Sequence, residues 1–135
     1  MTDMTDVVTA VVMHDGEVLL LRRSDRVRTY RGKWACVSGY LEEGDEPEER
    51  ARVEVTEETG LGRSDVRLEA AAEPVAFTDD ASGITWRVHP FLFVATHRDI
   101  SIDWEHQEYR WVAPSEVGRY DTVPRLAEVV DRLLA

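Results

Sequence analysis

The sequence predicts a single domain of the α/β class, in which a mixed sheet is flanked by an internal helix and a C-terminal helix. Three observations predict it. Short runs of β-branched and aliphatic residues are separated by turn residues, two segments have helical periodicity, and no repeat, linker or change of composition interrupts the 135 residues. A chain of this length can bury its own core. We therefore expect one domain over residues 1–135.

The first predicted elements are two strands, over about residues 7–13 and 17–22. The dipeptide Asp15-Gly16 between them is a typical hairpin turn, so we expect the two strands to pair. An arginine-rich loop follows them. The loop leads into a third predicted strand, a short apolar run over residues 34–37.

The internal helix is marked at both of its ends. Asp45 stands three residues before Glu48, with Pro47 between them, which is typical of a first helical turn closed by a capping box. Gly60 is a typical C-terminal stop. The pattern therefore predicts a helix between Asp45 and Gly60.

The remaining chain predicts further strands and the C-terminal helix. The strand segments are VRLEAAAEPVAFT at 66–78, ITWRVHPFLFVATH at 84–97 and EYRWVAP at 108–114, and the turn-rich DDASG separates the first two. Residues 123–135 carry leucine and valine side chains along one helical face. This stripe predicts a helix that packs on the sheet.

The composition is strongly acidic. Lysine plus arginine number 16 and aspartate plus glutamate number 27, which gives a formal net charge of -11. A field of this sign repels nucleic acid and anionic lipid headgroups, so we expect neither nucleic acid nor a membrane as a partner. A polyanionic substrate would have to be bound through a local basic patch or a cation.

The expected compartment is a reducing cytoplasm. Cys36 is the one cysteine, so no intramolecular disulfide can form. The N-terminal MTDMTDVV lacks the basic flank and long apolar run of a secretory signal. No apolar stretch approaches the roughly 20 residues that cross a bilayer.

Three carboxylates lie at helical spacing within the predicted internal helix. Glu54, Glu57 and Glu58 stand at i, i+3 and i+4 and share one face. Like charges at this spacing destabilise a helix by a few tenths of a kcal/mol per pair, whereas clusters of oxygen ligands suit Mg²⁺ or Mn²⁺. Backbone carbonyls of Ser38 and Gly39 could join the same cation. The alternative is a solvated acidic face that keeps the protein soluble.

The same segment resembles the signature of the Nudix hydrolases, G-x5-E-x7-R-E-U-x-E-E-x-G-U, where U is a bulky aliphatic residue. The matching positions are Gly39, Glu54, Val55, Glu57, Glu58, Gly60 and Leu61. Asp45 stands where the family has glutamate, and Val53 stands where it has arginine. The segments EVLLLRRS, GKWACVSGY and EYRWVAPSEV also resemble Nudix domains. The resemblance implies an α/β/α sandwich over nearly the whole chain.

The resemblance also implies an activity. Nudix enzymes hydrolyse a diphosphate bond in a nucleoside diphosphate linked to another moiety X, with Mg²⁺ or Mn²⁺ as the cofactor. Glu54, Glu57 and Glu58 would bind the cation. We expect a small phosphorylated substrate, namely a nucleotide derivative, and the sequence leaves a homodimer open.

Two alternatives to hydrolysis stay open at this point. One is a Nudix-fold module that binds a nucleotide or sugar phosphate without turnover. The other is isomerisation of an isopentenyl-type diphosphate, which needs a catalytic cysteine and further histidine ligands. Cys36 lies inside an apolar run and is poorly placed for that role.

Hydrolysis further needs a general base and groups that bind phosphate. In the family the base is a box glutamate or an acidic residue on a later loop, so Glu105 and Glu108 are candidates, with a solvated acidic loop as the alternative for both. Arg22 and Arg23 point to opposite faces of a strand. The resemblance favours Arg23 for a phosphate contact.

A basic loop precedes the box and could admit a polyanionic substrate. It carries Arg28, Arg31 and Lys33, for which an ordinary charged surface is the alternative. Tyr30 and Trp34 could stack on a nucleobase, although packing in the core is the expected role of Trp34.

Val53 is the departure with the larger expected consequence. In the family the arginine at this position helps to hold the metal-binding glutamates, so a valine predicts a loosened cluster and an enzyme that is slow or binds its metal weakly. We expect Val53→Arg to improve one of these quantities. Arg50 or Arg52 could substitute, although neither stands at the matching position.

Overall fold

A computed structural model describes residues 4–135 of the chain. Residues 1–3, part of the segment tested above for a secretory signal, lie outside the described residues. The elements are β1 (Met4–His14), β2 (Glu17–Arg23), β3 (Trp34–Ala35), β4 (Val37–Tyr40), α1 (Pro47–Thr59), β5 (Val66–Ala71), β6 (Val75–Asp79), β7 (Ile84–Ala95), β8 (His106–Val112) and α2 (Leu126–Leu134). Short 3-10 turns occupy Arg63–Asp65 and Pro114–Arg119.

The strands form one mixed sheet with β1 near its centre. β1 runs parallel to β7 and antiparallel to β2 and β4. β5 and β6 pair antiparallel with β7, and β3 and β8 pair antiparallel with β2. The parallel pair of β1 and β7 makes the sheet mixed, and the predicted α/β class is confirmed.

The core lies on both faces of this sheet because side chains along a strand alternate in direction. On β1, Ala10 and Val12 pack in the same buried cluster as Val55 of α1. Val11, between them, packs in a second cluster with Val130 of α2. The two helices therefore cover opposite faces, which gives the α/β/α sandwich that the resemblance implied.

Helix α1 begins one residue later than the capping-box pattern predicts. Its N-cap is Glu46, whose carboxylate accepts a hydrogen bond from the backbone N–H of Glu49 at 2.7 Å. Asp45 instead accepts from the backbone N–H of Glu42 at 2.9 Å and closes the preceding turn. Gly60 ends the helix with a left-handed φ of 79°, as predicted.

Other boundaries also differ from the sequence pattern. The predicted strand at 34–37 divides into β3 and β4, and the last strand, predicted from residue 108, begins at His106. The run at 66–78 divides into β5 and β6, because Pro74 between them has no N–H to give to a sheet. The C-terminal helix begins at Leu126 and not at residue 123. The hairpin turn at Asp15-Gly16 is confirmed. Among residues 4–135, no helix has the length and apolarity needed to span a membrane.

Candidate functional site

A cleft of about 440 Å³ opens beside β4 and α1 and is also lined by loop 24–33, by β6 and β7, by Glu105 and by the start of α2. Apolar side chains line part of it, and two other kinds of side chain bear on function. Carboxylates line it at Glu42, Asp45, Glu54, Glu57 and Glu105. An aromatic cluster, defined by Tyr30, Tyr40 and Trp86, lines it beside them.

Glu54 lies directly over the backbone of Gly39. A Cβ atom added at Gly39 would come within 2.6 Å of Cγ and 2.7 Å of Oε2 of Glu54. Any side chain there would therefore displace the carboxylate from the cleft. The glycine of the predicted box is needed because helix α1 and strand β4 approach each other this closely.

Glu58 is buried beneath Glu54, with 1% of its surface exposed. Its Oε1 lies 3.5 Å from the backbone nitrogen of Ser38 and 3.6 Å from Nε2 of His106. Its Oε2 is buried without a hydrogen-bond partner among the described residues. Burial, followed by the neighbouring Glu54, raises the pKa of Glu58 well above its ordinary value.

Glu57 is exposed at the rim of the same cleft, one helical turn after Glu54. The three box carboxylates thus differ strongly in exposure although they share one helical face. No group of three histidine, cysteine or acidic side chains within residues 4–135 is gathered closely enough to form a metal centre by itself. Arg50 also lines the cleft, and its Nη1 donates to Oε2 of Glu54 at 3.1 Å.

The two candidates for the general base lie in different places. Glu105 lines the cleft, and its pKa is raised, first by burial and then by the neighbouring charges of Asp103 and Glu54. Glu108 instead accepts a hydrogen bond from Nη1 of Arg22 at 3.1 Å and does not line the cleft.

Arg23 lines the cleft, whereas its neighbour Arg22 does not. Thr29 accepts hydrogen bonds from the Arg23 guanidinium through its carbonyl oxygen, at 2.9 Å, and its hydroxyl, at 3.3 Å. Burial lowers the pKa of Arg23, while the neighbouring charges of Glu105 and Glu58 act in the opposite direction. An arginine remains charged under these conditions.

The other basic candidates do not line the cleft. Nε of Arg31 donates to the carbonyl oxygen of Val27 at 2.7 Å, and Nζ of Lys33 pairs with Asp121 at 2.7 Å. Arg28 lies on the same loop and is exposed. The structure thus brings Arg23 to the carboxylates and leaves these three residues at a distance from them.

Two residues at the site, His106 and Tyr40, were not predicted from the sequence. His106 is buried against Glu58, and its other ring nitrogen lies 3.1 Å from Asp103. Burial lowers the pKa of His106. Tyr40 follows the box glycine directly and is 54% exposed, which is high for an aromatic side chain. Its place beside Gly39 is the signal that could have found it.

The aromatic cluster is held by hydrogen bonds. Nε1 of Trp86 donates to the hydroxyl of Tyr30 at 3.0 Å, and that hydroxyl donates to Asp79 at 2.6 Å. These bonds tie loop 24–33 to the β6–β7 hairpin across the cleft. Trp34 packs in the core, as expected.

Cys36 is fully buried, and burial raises its pKa to about 12. A thiol in this state is a weak nucleophile, because the thiolate is the reactive form. The finding agrees with the sequence-based argument against an isomerase that depends on this cysteine.

Known proteins resemble this chain in sequence and in fold. A sequence profile described as "NUDIX domain" matches residues 4–133. Nucleoside triphosphatase NudI from Salmonella agona (strain SL483) is 33% identical over 121 residues, which cover 85% of this chain and 86% of NudI.

Solved structures share the architecture. The MutT protein from Methanosarcina mazei Go1 is 28% identical, with a TM-score of 0.77 and coverage of 97% of this chain and 93% of that protein. A C. elegans Ap4A hydrolase superposes with a TM-score of 0.78 over 95% of this chain and 93% of its own. At 16% identity, that likeness supports the fold alone.

Proposed function

Because the chain belongs to the Nudix hydrolase family and is a pyrophosphohydrolase, we propose that it hydrolyses a diphosphate bond in a nucleotide derivative with the help of a divalent cation. The observation that supports this most is the joint lining of one cleft by carboxylates and by an aromatic cluster. The carboxylates can hold a diphosphate through a cation, and the aromatic cluster can stack on a planar base.

The donor set fits a hard divalent cation such as Mg²⁺ or Mn²⁺. The buried Oε2 of Glu58 has no hydrogen-bond partner among the described residues, and a carboxylate oxygen in this state is a suitable ligand. Glu54, Glu57 and Glu58, with backbone carbonyls of Ser38 and Gly39, would hold the ion. When bound, the cation would offset phosphate charge and make a water molecule more acidic.

The chain's own residues carry the remaining steps. The oxygen of a water molecule forms a bond to one phosphorus, and the bond from that phosphorus to the bridging oxygen breaks, with the electron pair staying on the bridging oxygen. A carboxylate takes the proton of the water, and we assign that role to Glu105 because it lines the cleft with a raised pKa. Arg23 offers its oriented guanidinium to the phosphate oxygens.

The assignment of the base can be tested with a matched pair. Glu105→Gln should lower kcat by about 10²–10⁴, because a general base contributes a factor of this order. Glu108→Gln, three residues away and outside the cleft, should leave kcat near the wild-type value. Equal rates for the two variants would contradict the assignment of Glu105.

The substrate itself requires a direct screen. NudI is named as a nucleoside triphosphatase, so nucleoside triphosphates come first, followed by dinucleoside polyphosphates and nucleoside diphosphate sugars. Each is incubated with Mg²⁺, and the phosphorylated products are separated by ion-exchange chromatography. We expect two phosphorylated products from one of these classes. No turnover on any of them would contradict the nucleotide assignment.

The role of the aromatic cluster can be separated from the chemistry of the diphosphate. Tyr40→Ala should raise KM for the best nucleotide about tenfold or more, since stacking of a base on an aromatic ring contributes about 1–3 kcal/mol. Tyr109→Ala is the control, because Tyr109 is also exposed but does not line the cleft. With inorganic tripolyphosphate, which has no base, Tyr40→Ala and wild type should have equal KM.

The non-catalytic binding module has less support. NudI is named for an enzymatic activity, and in this chain Glu54 and Glu57 line one cleft, with the buried Glu58 beside Glu54. Release of phosphorylated products by wild type, lost in Glu58→Gln, would distinguish the hydrolase from a module that only binds.

A further inference from the structure

Arg50 lies in the cleft between Asp45 and Glu54. Its Nη1 donates to Oε2 of Glu54 at 3.1 Å, and its Nε lies 3.6 Å from Oδ2 of Asp45. The same Oε2 of Glu54 is the oxygen that lies over the backbone of Gly39. One carboxylate oxygen is therefore held between a glycine backbone on one side and a guanidinium on the other.

The side chain at position 53 lies elsewhere. Val53 is half-buried and lines a shallow depression together with Gly62 and Arg63. Its i+4 neighbour on α1 is Glu57, whereas the i+4 neighbour of Arg50 is Glu54. Position 50, and not position 53, therefore faces the Glu54 carboxylate that lies over Gly39.

Asp45 connects this arginine to the loop before the helix. Its Oδ2 accepts a hydrogen bond from the backbone N–H of Glu42 at 2.9 Å and also faces Nε of Arg50. The side chain of Arg50 is 31% exposed, and that of Glu54 is 12% exposed, so the ion pair is partly shielded from water. An ion pair in this setting can fix a side-chain orientation.

We propose that Arg50 is a positioning residue that orients the Glu54 carboxylate for binding the divalent cation. This inference rests on the proposed function. It also explains two departures from the family signature together. Arg50, about one helical turn before Val53, contacts Asp45 and would take the role that the family gives to an arginine at position 53.

Removal of Arg50 would have two effects of opposite sign on cation binding. Loss of the hydrogen bond frees the Glu54 carboxylate, which weakens binding; partners of metal ligands typically contribute 10–100-fold in affinity or activity. Loss of a positive charge beside the site strengthens the attraction for a cation. A positioning role requires the first effect to be the larger, and a merely charge-balancing role requires the second.

The test uses Arg50→Ala, Arg50→Lys and a control variant, Arg52→Ala. Arg52 makes the same kind of i, i+4 ion pair on α1, with Glu48 at 3.2 Å, but does not line the cleft. Mn²⁺ binding is measured by calorimetry without substrate, and kcat and KM are measured at saturating Mg²⁺. We expect Arg50→Ala to bind Mn²⁺ about tenfold more weakly and to lose about 10–100-fold in kcat, with KM within about threefold of wild type.

The companion variants make the result decisive. Arg50→Lys keeps the charge without the planar fork and should give intermediate values, and Arg52→Ala should match wild type in both measurements. If circular dichroism shows that Arg50→Ala does not fold, Arg50→Lys decides alone. Mn²⁺ binding as tight as in wild type, together with an unchanged kcat, would overturn the inference. A wild type that neither binds Mn²⁺ nor turns over a substrate would instead overturn the proposed function.

The structure also changes the expectation for Val53→Arg. If Arg50 already holds Glu54, adding an arginine at position 53 should change kcat and Mn²⁺ affinity by less than about threefold, well below the effect expected of a lost ligand partner. The double variant Arg50→Ala, Val53→Arg should remain as impaired as Arg50→Ala. Recovery of wild-type affinity and kcat in the double variant would contradict the special role of position 50.

Discussion

Two acidic regions of this molecule accommodate negative charge in opposite ways. Asp6 on β1 pairs with Nη2 of Arg87 at 3.0 Å and with Nε2 of His89 at 2.9 Å. These partners, Arg87 first, lower the pKa of Asp6 to about 2. Glu58 on α1 is buried beside Glu54, and its pKa is raised. The same functional group is stabilised as an anion in one region and destabilised as an anion in the other.

Asp6 belongs to a complete structural ion pair, whereas Glu58 has a carboxylate oxygen without a hydrogen-bond partner among the described residues. His106 does not compensate the charge of Glu58. Burial lowers the pKa of its imidazole, which favours the neutral ring. A buried acid with an unpartnered oxygen is costly for the fold alone, and such groups concentrate at functional sites. The predictions below test this contrast, from the largest expected effect to the smallest.

The largest effect concerns turnover. Glu57→Gln and Glu58→Gln should each lower kcat by orders of magnitude, because each removes a charged ligand of the proposed cation while keeping the shape of the side chain. Circular dichroism should show that both variants keep the fold. Near-normal kcat in either variant at saturating Mg²⁺ would remove that residue from the proposed site.

The second prediction is that a divalent cation stabilises the folded protein. A ligand at ten times its Kd that binds only the native state adds about 1.4 kcal/mol to the free energy of unfolding, which corresponds to a rise in Tm on the order of 5 °C. Thermal denaturation with MgCl₂ or MnCl₂ should show this rise, relative to NaCl of equal ionic strength. Glu58→Gln should show little of it, and an equal rise in that variant would place the cation elsewhere.

The third prediction contrasts the pH dependence of the two regions in the metal-free protein. The raised pKa of Glu58 means that the folded state holds a proton that the unfolded state has released, so stability falls as pH rises above about 4.5. Asp6 has a lowered pKa, so its contribution is present above about pH 3.8 and is lost as pH falls toward 2.

Urea denaturation in EDTA between pH 3 and 8 measures both effects. Relative to wild type, Glu58→Gln should become more stable as the pH rises, because the glutamine cannot ionise. The stability lost in Asp6→Asn should shrink as the pH falls below 3.8. Parallel stability profiles for wild type and the two variants would show that neither carboxylate has the shifted pKa described here.

The smallest effect is that of Asp6→Asn at neutral pH. Partly exposed ion pairs contribute little to stability, so the variant should lower Tm by a few degrees at most. Asp6 does not line the cleft, and kcat should therefore stay at the wild-type value. A large loss of activity would show that the two acidic regions are coupled through β1.

Much of the fold could be predicted from the sequence because the signals are local. The alternation of side chains along β1, the turn at Asp15-Gly16 and the glycine at the end of α1 each depend on residues close in the chain. The shared face of Glu54, Glu57 and Glu58 likewise follows from helical periodicity. The start of α1 could not be predicted to the residue, because Asp45 and Glu46 can both cap a helix. In the structure Asp45 accepts a hydrogen bond within the preceding turn, and Glu46 caps the helix.

Tertiary structure decided what lies opposite that face. Glu105 and Glu108 are three residues apart, yet only the first lines the cleft: Glu105 precedes β8, whereas Glu108 lies on β8 opposite Arg22 of β2. His106 meets Glu58 because two distant segments pack together.

The choice between Arg50 and Arg52 was open in the sequence for a related reason. Each arginine has a glutamate one helical turn away on α1, Arg50 with Glu54 and Arg52 with Glu48, so helical spacing gives both of them an ion pair. The rotation of the helix against β4 places Arg50 in the cleft and Arg52 over the ring of Phe93. The sequence alone thus determined the fold class and the acidic face through short-range periodicity. Which of the carboxylates and arginines line the cleft was decided by packing between segments far apart in the chain, which local spacing does not encode.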